Sequence, residues 1–78
     1  MSQAWEVTEE DVQTVLDKHG IQKQAEDVFD SVNPNIVEDA ALNGDDMDEQ
    51  VNYALQSIEE QLMEDGVIPK GPSLFEQD

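Results

Sequence analysis

Apolar positions along this chain fall three and four residues apart, and each such stripe is bracketed by its own stop signals. The first stripe is Val12, Val15 and Leu16. Thr8 stands before it as an N-cap, followed by Glu9, Glu10 and Asp11, acids that suit the positive end of a helix. Thr8 and Asp11 have the spacing of a capping box, and Val7 and Val12 occupy the two positions of a hydrophobic staple. Gly20 supplies a left-handed stop, with Leu16 and Ile21 at the apolar contact of a Schellman motif. The pattern predicts a helix over 8–19.

Ile21, Ala25, Val28, Phe29 and Val32 fit one face of a second helix. Asn33-Pro34 interrupts it and starts a third, with Asn33 as cap and Pro34 as first helical residue. Ile36, Val37, Ala40 and Ala41 give that helix its apolar face, and Asn43-Gly44 ends it. The fourth helix has the longest stripe: Met47, Val51, Ala54, Leu55, Ile58 and Leu62. Asp46 caps it, with Glu49 placed to complete a capping box. Gly66, the Leu62–Val67 contact and Pro69 stop it. The expected fold is all-α: a compact bundle of four short helices, the last long and amphipathic. It divides into an N-terminal arm over 1–6, a helical domain over 7–67 and a flexible tail over 68–78.

Composition narrows what such a bundle can do. The chain has 78 residues, with 20 acidic and three basic residues and a net charge of −17. The three are Lys18, Lys23 and Lys70; arginine is absent. Charge of this sign repels nucleic acid and anionic membranes and attracts basic surfaces. A domain this small buries only about 60% of its unfolded surface, so its core is small. Cysteine is absent, which excludes disulfide staples and thiolate chemistry. Met1-Ser2-Gln3-Ala4-Trp5 lacks the basic and apolar regions of a signal peptide, and no apolar run is long enough to span a bilayer, so a cytoplasmic setting is expected.

The apolar stripes press the carboxylates onto the outer faces. Helical neighbours at three and four residues then make two clusters at opposite ends of the fourth helix: Asp45, Asp46, Asp48 and Glu49, and Glu59, Glu60, Glu64 and Asp65. These are the candidate partner-binding residues. They could engage a basic protein, most naturally one that binds nucleic acid, by presenting charge as phosphates do. The plainer reading is a solvated face, or an adaptation to high salt; eight glutamines and four asparagines weigh against the latter. The alternative role is structural, a small homodimer whose acidity serves solubility.

Other chemistry is weaker. The loop at Asp45, Asp46 and Asp48 is acidic enough to attract a hard cation, but the EF-hand spacing is absent, and capping explains Asp46 and Glu49 without metal. His19 is the sole histidine and falls in the last turn of the first helix, where a cation suits the helix end. None of the serines or threonines has an activating context, and so small a domain leaves little room for a water-excluding cleft. The chain therefore reads as non-enzymatic, with no cofactor and no metal. Trp5, Leu74 and Phe75 are apolar docking candidates outside the helices. Ser73-Leu74-Phe75 resembles the end of the pentapeptide that binds bacterial sliding clamps, with Gly71 where that motif carries its leading glutamine.

Overall fold

The computed structural model describes residues 7–75. Four α-helices follow one another with no strand among the described residues: α1 (Glu9–Lys18), α2 (Ala25–Val28), α3 (Pro34–Ala41) and α4 (Met47–Glu64), with a 3-10 turn (Phe29–Ser31) between α2 and α3. The all-α bundle with a long final helix is as the periodicity requires.

Local signals set three of the four helices. Thr8 and Asp11 form the full capping box at α1: the Asp11 N–H donates to Thr8 Oγ1 at 3.3 Å and the Thr8 N–H to Asp11 Oδ2 at 3.3 Å. Asn33 caps α3 through the Asn35 N–H at 2.9 Å, with Pro34 at the first helical position. Asp46 caps α4 through the Glu49 N–H at 2.9 Å. The reciprocal half of that box shifts by one residue, because the Glu49 carboxylate accepts from Asp45 rather than Asp46. Both Schellman stops form. Gly20 and Gly66 take positive φ, and the Ile21 and Val67 N–H groups donate to the Leu16 and Leu62 carbonyls, each at 2.9 Å.

The expected helix over Ile21 to Val32 shrinks to one α turn and one 3-10 turn. Residues 21–24 run outside any helix, because a side chain of α1 holds them. Gln13 Oε1 accepts from the Ala25 N–H at 3.0 Å, and Gln13 Nε2 donates to the Lys23 carbonyl at 3.3 Å. Gln24, the residue before α2, offers no side-chain cap, so Gln13 takes that place from a distance. The apolar residues still point inward: Ala25, Val28 and Val32 are buried.

The core is one cluster. Val12, Val15 and Leu16 of α1, Val37 and Ala41 of α3, Ala54, Ile58 and Leu62 of α4, and Ile68 beyond α4 are all buried. Within α4 the row 54–58–62 faces this core. The neighbouring row 47–51–55 lies at its edge: Met47 is exposed and Val51 and Leu55 are half-buried. The stripe thus narrows from six residues to three central ones, since a helix offers each neighbour only the width that neighbour covers. Gly44 is required by contact at the foot of α4. A Cβ there would stand 2.6 Å from the Gln50 nitrogen, inside any tolerated approach.

The tail is tied down as far as Phe75, where the composition had suggested a flexible segment. Ile68 enters the core, Gln56 Nε2 donates to the Phe75 carbonyl at 3.1 Å, and the Leu74 N–H donates to Glu59 at 2.9 Å.

Truncation separates the two rows of α4. Ile58→Ala should lower stability by about 2–5 kcal/mol, the cost of emptying a sealed core position. Leu55→Ala should cost clearly less, because its site borders solvent. Urea unfolding followed by circular dichroism measures both, and an equal or larger loss at Leu55 would misplace the core.

Candidate functional site

The acidic surface divides into carboxylates consumed by the fold and carboxylates left over. Asp11, Asp46 and Glu49 satisfy backbone N–H groups at helix starts. Asp45 and Asp48 are exposed beside them, so the N-terminal cluster at α4 is partly structural and partly free. At the other end, Glu60, Glu64 and Asp65 are exposed. The only contact within salt-bridge distance among the described residues is His19–Glu59, so none of these surface carboxylates has a lysine within that reach.

Glu59 is a correction to the expected acidic face. It is 1% exposed, one of the most deeply buried side chains in the molecule. Glu59 Oε2 lies 2.6 Å from His19 Nε2 and also accepts the Leu74 N–H at 2.9 Å. It continues the row 47–51–55 by one more step of four, which carries it under α1 and the tail. A carboxylate enters an apolar interior only when paired and hydrogen-bonded, and these two contacts meet that requirement. His19 accordingly does more than sit at a helix end: as the C-cap of α1 it reaches across to α4. The pair joins residues forty positions apart. A sequence signal existed. Glu59 lies four after Leu55 and three before Leu62, on the edge of the stripe, in a chain with one histidine.

Of the apolar docking candidates, Trp5 lies outside the described residues. Leu74 is 46% exposed and remains presented to solvent. Phe75 packs against the core, its carbonyl bonded by Gln56 and its N–H by Ser73 Oγ at 3.1 Å. The Ser73-Leu74-Phe75 tripeptide is therefore fastened to α4, with one of its two apolar side chains turned inward.

Two open depressions flank these elements. One, of about 410 Å³, lies between α1 and the start of α2 and is edged by Glu9, Glu10 and Glu26. The other, of about 460 Å³, runs between α3 and α4 and is lined by Ile36, Ala40, Tyr53, Ser57 and Glu60 among others. Among the described residues no three acidic or histidine side chains converge to hold a metal ion. No described helix is long and apolar enough to cross a membrane.

Comparison with known protein families, with curated proteins and with solved structures finds no match to this chain.

Two measurements test this partition. His19→Ala removes the side-chain partner of the buried Glu59 and should cost about 1–3 kcal/mol. Glu59→Gln keeps an acceptor for Leu74 and should cost less. A His19→Ala variant as stable as the wild type would remove the pair from the account of the fold. Separately, the unpaired surface carboxylates repel one another, so added salt should raise the urea midpoint. A midpoint that falls with salt would mean that attractive pairs dominate the surface.

Proposed function

We propose that this chain is a non-enzymatic binding module that engages a basic protein surface through its exposed carboxylates, presenting them to a nucleic-acid-binding protein much as a duplex presents phosphates. The observation that carries this reading is charge density without internal compensation. The longest dimension of the fold is 36 Å. That is close to one turn of duplex, about 34–36 Å. A duplex segment of that length carries about 20 phosphate charges, at roughly one per 1.7 Å. Of this chain's net −17, the described residues 7–75 carry −14, 17 acids less three lysines, and one of those acids is the buried Glu59. Its surface carboxylates among the described residues are unpaired, so the field reaches outward rather than closing on neighbouring lysines.

The surface residues in this reading are Asp45, Asp48, Glu60, Glu64 and Asp65, with Asp46 and Glu49 serving the helix start at the same time. Glu59 drops out, since it is buried. The expected setting is the cytoplasm, from the N-terminal composition.

Charge reversal tests the reading. Lysine at Glu60, Glu64 and Asp65 replaces acids at the negative end of α4, so it should leave helicity intact or improve it. Capture of basic partners from a lysate at low salt should weaken by tenfold or more, about the scale of losing several close charge pairs. Capture by the unaltered chain should fall as salt rises, and nucleic acid should compete for the same partner. Capture that survives the triple reversal and ignores salt would overturn the proposal.

A further inference from the structure

We infer that the groove between α3 and α4 is the specificity site of this surface, seating the apolar face of a basic amphipathic helix supplied by the partner. The inference rests on the binding-module reading and names the place and the occupant.

The groove is mixed, with Asn43, Gln56, Ser57 and Glu60 beside an apolar strip. Ile36 is 51% exposed and Tyr53 is 37% exposed, and both line it with Ala40. In α3 the smaller Val37 takes the buried position while Ile36, next to it in sequence, faces out. The floor from Tyr53 through Ser57 to Glu60 spans eight residues of α4, seven steps of 1.5 Å or about 10.5 Å. That length accepts two turns of a helix, matching anchors at i, i+4 and i+7.

Charge chooses the occupant. Glu60 lines the groove itself, Glu64 continues its row by one turn, and Glu49 stands one turn before Tyr53. Asp39, exposed on α3, lies three residues from Ile36. None of the three lysines lines the groove. A second copy of this chain would set −17 against −17 across a rim of carboxylates. As far as Phe75 the tail is fastened beside the groove, its Phe75 carbonyl on Gln56, which lines the groove, and its Leu74 N–H on the buried Glu59. A segment with two or three apolar anchors and a lysine- or arginine-rich remainder satisfies both the groove and its rim.

Two synthetic peptides of identical lysine and leucine content test this on the full chain. In one the leucines stand at i, i+4 and i+7; in the other their order is scrambled. The amphipathic peptide should bind roughly tenfold tighter, the scale of a modest anchor cluster. Its amide-shift changes in NMR should centre on Ile36, Ala40, Tyr53 and Ser57. Ile36→Ser with Tyr53→Ser should abolish that preference while leaving charge-driven binding of the scrambled peptide. Ile36→Ser alone serves if the double variant loses helicity. Equal affinity for the two peptides, or a preference that survives the substitutions, overturns the groove and leaves the acidic module standing. Binding of neither peptide overturns both. A dimer in sedimentation that Ile36→Ser splits would make a second copy the occupant and also overturn the inference.

Discussion

A chain that carries −17 on 78 residues must hold its helices together against their own repulsion, and α4 supplies both kinds of attachment. Its row of Ala54, Ile58 and Leu62 gives the other elements a common apolar wall. Its polar side chains then fasten those elements individually. Glu59 takes His19 at the end of α1 and the Leu74 N–H of the tail. Gln61 takes the Asn33 N–H at the start of α3, at 2.6 Å, and also donates to Ser57. Gln56 takes the Phe75 carbonyl, and Gln50 the Gly44 carbonyl. Only α2 is held from elsewhere, by Gln13 of α1. Apolar burial is non-directional, so a core this small fixes little about how helices are oriented. The directional contacts restrict that freedom, which gives the amide-rich composition a structural use.

What was legible in the sequence is what depends on neighbours within one turn. The Thr8–Asp11 box, the Asn33-Pro34 start and the glycine stops at Gly20 and Gly66 all formed where spacing placed them. What was not legible depends on residues brought together by folding. Periodicity alone makes Ile21 to Val32 a good helical face, but Gln13 bonds Lys23 and Ala25 and so holds the backbone before α2. Glu59 looks like any other member of the run Glu59-Glu60 until His19 and Leu74 arrive from forty and fifteen residues away. Likewise the tail has few local signals of order, and its anchoring comes from α4. Of the two acidic clusters, Asp45, Asp46, Asp48, Glu60, Glu64 and Asp65 are exposed, Glu49 is half-buried and Glu59 is buried. The groove between α3 and α4 could not be read at all, because Ile36 and Tyr53 join only once the two helices pack.

The placement of the remaining acids runs against helix stability. The last turn of α4 contains no basic residue, and Glu64 and Asp65 stand at its negative end. Each such acid costs roughly 0.3–1 kcal/mol relative to a favourable cation. Glu60 and Glu64 add a like-charge pair at four residues, a further few tenths of a kcal/mol. A domain with so small a core has little stability to give away, and a single lysine at either position would recover part of it. Glutamine would keep solubility and helix propensity without the repulsion, and the chain uses glutamine freely elsewhere. In the proposed reading, a basic partner supplies the cation that these positions lack among the described residues.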